Sequence, residues 1–155
     1  MKLNYLFFVL VMLCLLLSCG STSNVFDESI PLERSAILNI APTIEIKSYN
    51  GIPVKLKVSG IGYTGYTIPA GITTFEYDVD TGRTFGNFRF FGNNFSLEFN
   101  FEGGKGYYIV FGFVDEEGNL KRTNLGNTSF ALFIFEKKDF ENKNFENPLL
   151  MQRFK

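Results

Sequence analysis

The chain has 155 residues, 15 Lys+Arg against 16 Asp+Glu, 19 Phe, no His, no Trp and two Cys. Without histidine there is no imidazole base, so Ser-His-Asp and Cys-His arrangements and His-bearing metal sites are excluded. A net charge of −1 gives no electrostatic basis for nucleic-acid binding, and 45% hydrophobic with 20% charged residues marks a globular chain rather than a disordered one.

Residues 1–18 read as a signal peptide. Lys2 supplies a positive start, and Leu6 to Leu17 is an unbroken apolar run of 12 residues. As a helix that run reaches ~18 Å, short of a ~30 Å hydrocarbon core. It ends at Leu16-Leu17-Ser18-Cys19, followed by the polar Gly20-Ser21-Thr22-Ser23-Asn24. This junction resembles the lipobox of bacterial lipoproteins, with an aliphatic residue at −3, a small one at −1 and then the cysteine to be lipidated. Cys14 is the poorer candidate, because Leu13 before it is not small and the apolar run continues beyond it. The alternative is an ordinary secretory signal peptide or a short membrane anchor in which Cys19 is incidental. The resemblance implies that Cys19 becomes the mature N-terminus, carrying a thioether-linked diacylglycerol with palmitate-like chains. Two or three long chains anchor stably where one does not, at ~0.8 kcal/mol per buried CH₂. The mature chain of 137 residues would then hold no free thiol and no disulfide.

Residues 19–30 read as the lipidated Cys and a flexible tether, ahead of a folded domain at 31–138 and a tail at 139–155. From Ser35 to about Glu136 apolar and polar residues alternate with period two between Gly, Asn and Asp turns, which predicts antiparallel strands. Face parity predicts a three-residue loop Tyr49-Asn50-Gly51, with Ile46 opposite Val54, Ile44 opposite Leu56 and Glu45 opposite Lys55. It likewise sets Phe75, Tyr77 and Val79 against Phe88, Gly86 and Thr84, and Phe95, Leu97, Phe99 and Phe101 against Phe113, Phe111, Ile109 and Tyr107. The segments Tyr107 to Val114 and Phe130 to Phe135 are apolar on both faces. Such strands are covered on both sides or leave an exposed patch, and the tail, with Phe140 and Phe145, is the expected cover. Asn147-Pro148-Leu149-Leu150-Met151 predicts a short helix with Pro at its first position. The expected fold is all-β, a single antiparallel β-sandwich of seven to nine strands arranged as a meander of hairpins.

Three motifs resemble those of small bacterial lipoproteins, spirochaete-type ones especially, that carry a PEGA-like or transthyretin-like sandwich. They are Asn50-Gly51-Ile52-Pro53-Val54, Ile68-Pro69-Ala70-Gly71 leading into Thr73-Thr74-Phe75-Glu76-Tyr77, and Phe101-Glu102-Gly103-Gly104-Lys105-Gly106-Tyr107. Each is a strand-turn-strand signal, so no functional residue carries over. The resemblance implies an extracytoplasmic, non-enzymatic domain.

Asp115-Glu116-Glu117-Gly118-Asn119 clusters acid at a hairpin tip, but its spacing matches no calcium loop and it reads as a solvated turn. Asp78 and Asp80 have no partner acid placed opposite them, as glycoside chemistry would need. Lys55, Lys57, Lys137 and Lys138 read as solvated strand faces. The Gly-rich stretch Ser59 to Tyr66 follows no βα turn, so it is not a dinucleotide fingerprint. Its Tyr63 and Tyr66 are the candidate binding residues for a sugar ring or a protein partner, against the plainer reading that they fold back onto the domain. No catalytic residue, metal site or cofactor is expected. The expected function is a binding or structural module anchored to the membrane through Cys19, in the bacterial cell envelope and at the outer membrane or cell surface rather than the inner membrane. The partner is a protein or glycan and not nucleic acid. The alternative is a carrier of a small apolar ligand inside a barrel-like meander, and a transmembrane barrel ranks below both because the predicted strands are short.

Overall fold

The computed structural model describes residues 30–56, 62–82, 90–115, 117–121 and 129–154. Among them a 3-10 turn (Leu32–Arg34) precedes β1 (Ser35–Ile40), β2 (Ile44–Tyr49), β3 (Ile52–Leu56), β4 (Thr64–Pro69) and β5 (Gly71–Asp80). There follow β6 (Phe91–Phe101), β7 (Gly106–Val114), β8 (Leu120–Lys121), β9 (Ser129–Glu136), the helix α1 (Lys137–Glu141) and β10 (Leu150–Phe154). Nine of these strands have five or more residues, while β8 is a two-residue pairing onto the end of β7. They form two sheets, ordered β10-β9-β7-β1-β4 and β3-β2-β5-β6, which do not close into a barrel. The expected all-β sandwich is the observed architecture.

Alternation decides which side chains face the core. In β1, Ala36, Leu38 and Ile40 point inward, and in β5 Thr73, Phe75, Tyr77 and Val79 do the same. The opposite face of the smaller sheet carries Glu76, Ser96, Glu98 and Asn100, all exposed to water. Phe101 packs on Phe75 of its own sheet at 5.9 Å and, across the layers, on Tyr107 at 5.1 Å, both nearly edge-on. An interior filled this way is a packed core.

Pairing departs from the expected meander. β7 does not pair with β6; it lies between β9, antiparallel, and β1, parallel. β6 pairs with β5, setting Phe75 against Leu97 and Tyr77 against Phe95, while Thr84, Gly86 and Phe88 lie outside the described residues. The loop Glu102–Lys105 crosses from one sheet to the other, so Phe99, Phe101 and Tyr107 meet across the core and not along a ladder. Parity cannot separate the two cases, since inward residues match inward residues either way.

The first hairpin is also corrected. Tyr49 pairs with Ile52 around a two-residue Asn50-Gly51 turn in which both residues have positive φ, 49° and 76°. Parity is restored by a register shift between Ile46 and Ser48, which gives Ile46 opposite Leu56. The same shift turns Tyr49 inward, where it packs on Phe75 at 5.6 Å.

The helix expected at Asn147–Met151 does not form; Leu150 and Met151 begin β10, and the short helix is α1. The edge of β9 presents unpaired backbone groups, and Leu150, Gln152 and Phe154 alternate inward along it, so strand pairing wins over the Asn-Pro helix signal. Gln152 then bridges the open side of the sandwich. Its Oε1 accepts from Tyr77 Oη at 2.9 Å and its Nε2 donates to the Ser96 carbonyl at 3.1 Å.

Strand directions give the sandwich two ends. At one lie the 3-10 turn, the Asn50-Gly51 turn, the Pro69–Gly71 corner and the Glu102–Lys105 loop. At the other lie Ala41–Thr43, Asp80–Gly82, Phe91 and the Asp115–Asn119 turn.

Candidate functional site

The outer face of the larger sheet is aromatic. Along β7 and β9 it presents Tyr108, Val110, Phe133 and Phe135, the second apolar side that the sequence leaves in surplus. The tail covers it, as expected. Phe140 of α1 stacks on Tyr108 at 4.3 Å, and Phe145 closes against Phe135 at 5.9 Å and Phe140 at 5.4 Å. Lys137 and Glu141 pair across one turn of α1 at 3.8 Å, and Tyr108 Oη makes a long 3.5 Å contact to Glu141 Oε1. Burial, helped by the Glu141 charge, pushes the Tyr108 hydroxyl above its ordinary pKa.

Tyr63 lies on this cluster. Its ring meets Tyr108 edge-on at 4.8 Å and Phe140 at 5.5 Å, and 45% of the residue stays exposed. Tyr66 does not join it. Three residues later, on β4 and opposite Leu38, it is half-buried against the core, and burial raises its pKa. The two tyrosines therefore occupy opposite faces of one sheet and do not form a common platform. Sequence proximity placed them together; the strand beginning at Thr64 separates them, since neighbours at odd spacing point to opposite sides.

The other candidates serve the fold. Asp78 accepts from Asn94 N–H at 2.9 Å, where Asn94 takes a positive φ of 58°, and pairs with Lys47 at 3.1 Å. Hydrogen bonding to Asp78 is the main cause that raises the Lys47 pKa, with Glu45 at 3.3 Å adding to it. Asp80 holds its turn through Gly82 N–H at 2.9 Å. Asp115 holds the acidic tip through Asn119 N–H at 2.7 Å, a carboxylate spent on its own turn. Lys138 pairs with Glu136 at 3.2 Å, whereas Lys57 and the side chain of Lys55 lie outside the described residues. Among the described residues no three His, Cys, Asp or Glu gather as a metal site, and no helix is long and apolar enough to cross a membrane.

Cys19 lies outside the described residues. The three turn motifs sit at joints of the fold: the Asn50-Gly51 turn, the Pro69–Gly71 corner and the Glu102–Lys105 crossover. The Tyr108–Phe140 stack, which sequence reading placed only as a covered face, is the hub of the aromatic cluster; the signal for it was Phe140 itself, apolar in a charged tail. No family model, no curated protein and no solved structure matches the chain.

Proposed function

We propose that this protein is a bacterial lipoprotein of the cell envelope, held to the outer membrane or cell surface by a diacylglycerol on Cys19 and acting as a non-enzymatic binding or structural module. One observation carries the reading: a cysteine preceded by a small residue stands where a 12-residue apolar run meets a Gly/Ser segment. A His-free chain in which Asp78, Asp80 and Asp115 are engaged in turns and an ion pair supports a role without catalysis. In this reading Tyr63 is the side chain offered to a protein or glycan partner, because its exposed ring is backed by Tyr108 and Phe140. Tyr66 acts only through the packing of β4.

Growth with a radiolabelled fatty acid tests the anchor. The wild-type protein takes up label and Cys19→Ala does not; equal label in both overturns the proposal.

A further inference from the structure

We infer that the end of the sandwich carrying Leu32, Ile52 and Ile72 rests on the lipid bilayer surface, so that the domain stands on the membrane with its opposite end outward. The inference rests on the anchor proposed above and adds an orientation and a second, apolar contact to it.

Three observations converge. The chain enters the described fold at Ile30, at the end formed by the 3-10 turn, the Asn50-Gly51 turn, the Pro69–Gly71 corner and the Glu102–Lys105 loop. Large apolar side chains are exposed at that same end: Ile72 at 69%, Leu32 at 59% and Ile52 at 50%. The exposures of Ile72 and Leu32 do not follow from the fold. Ile72 lies opposite Asn100 on a face that is otherwise Thr74, Glu76, Ser96 and Glu98, where a polar residue fits the pattern. Leu32 belongs to a turn with no buried residue, yet its position is fixed, because Arg34 N–H bonds the Pro31 carbonyl at 2.8 Å and Gly104 N–H bonds the Leu32 carbonyl at 3.0 Å.

Length supplies the third. The ten residues between Cys19 and Ile30 reach ~36 Å at most, whatever their conformation. The 11-residue strand β6 alone is about 37 Å long at ~3.4 Å per residue. An anchor that short keeps the near end at the surface far more of the time than the far end.

Charge does not draw this end to lipid. Lys105 is paired with Glu102 at 2.8 Å and Glu136 at 3.8 Å, and Lys138 with Glu136 at 3.2 Å, so acids and bases interleave there. The contact is apolar, and it should not depend on anionic lipid.

The absence of Trp in the whole chain makes the test clean, since each introduced Trp is the only one. Full-length Ile72→Trp, Leu32→Trp and Phe91→Trp proteins are purified with their lipid, checked for acylation by mass and reconstituted into phosphatidylcholine vesicles containing brominated acyl chains. Phe91 is the internal control, equally apolar and 60% exposed but at the far end. The expected result is about twofold or greater quenching at Ile72→Trp and Leu32→Trp, as for side chains ~5–10 Å below the headgroup level, with Phe91→Trp unchanged. Adding phosphatidylglycerol should leave the pattern as it is. Acylated protein in which all three are unquenched, or in which Phe91→Trp is quenched as strongly as Ile72→Trp, overturns the orientation alone. Protein without acylation overturns the anchor and the orientation with it.

Discussion

Phe140 stacks on Tyr108 with ring centroids 4.3 Å apart and planes 18° from parallel, and this contact fastens the C-terminal segment over the outer face of the larger sheet. The two residues are far apart in sequence, and Tyr108 lies on a sheet face that a two-layer sandwich would ordinarily leave polar. Together with Phe145 and Tyr63 they convert that face into a third, partial layer.

Truncation of the stack tests how much that layer contributes. Phe140→Ala is expected to cost about 2 kcal/mol, less than the ~3–5 kcal/mol of a fully buried Phe because this ring is half-buried. Urea unfolding measures it, and 8-anilinonaphthalene-1-sulfonate should bind the uncovered Tyr108 and Phe135 face. A loss below ~0.5 kcal/mol would mean that the segment docks through other contacts.

The near-end crossover depends on Gly103, where an added Cβ would run into the carbonyl of Glu33. Gly103→Ala must displace the 3-10 turn or the loop, at an expected cost of ~2 kcal/mol or more. Gly104→Ala meets no atom but must hold a φ of 75°, and about 1 kcal/mol is expected from backbone strain. Thermal unfolding of the pair should rank Gly103→Ala below Gly104→Ala; the reverse order contradicts the close approach.

Thr43 is buried at the β1 to β2 crossover and its Oγ1 has no hydrogen-bond partner among the described residues. Replacing the hydroxyl by a methyl removes an uncompensated desolvation cost. Thr43→Val should therefore be neutral or stabilising by up to about 1 kcal/mol in urea unfolding. A clear destabilisation would show that the hydroxyl is satisfied in solution.

Tyr77 gives the stability an alkaline limit. Burial pushes its hydroxyl well above the ordinary tyrosine range, where it stays protonated and donates to Gln152. A raised pKa means that the folded state holds its proton after the unfolded state, with a pKa of ~10, has lost it. Stability from this group is full below pH ~10 and falls above it by about 1.4 kcal/mol per pH unit. Tyr77→Phe should lower stability at neutral pH by about 1 kcal/mol, through the lost hydrogen bond, and flatten the decline above pH ~10. An unchanged alkaline slope would contradict the burial of the phenol.

Much of this fold is written in local pattern. Alternation located the inward faces of β5 and β6, the two-sided apolar character of β7 and β9 foretold a cover, and Phe140 and Phe145 identified it. Pairing was not legible, because parity treats a ladder neighbour and a residue across the core alike; Phe101 and Tyr107 satisfy it while belonging to different sheets. The register shift at Ile46/Ser48 was hidden for a related reason, since parity assumes an unbroken strand. Leu150 to Phe154 carried a strand pattern beneath a helix-start signal, and only the open edge of β9 decides between them. Proximity in sequence hid that Tyr63 and Tyr66 face opposite sides of the sheet, because Tyr63 lies just before the strand that begins at Thr64.

Mass spectrometry of the mature N-terminal peptide, on protein extracted from membranes, tests the proposed lipid on Cys19. The expected species is a chain beginning at Cys19 with a diacylglyceryl thioether on Sγ, absent from Cys19→Ala. A mature chain beginning at any other residue, or one with an unmodified Cys19 thiol, would contradict it.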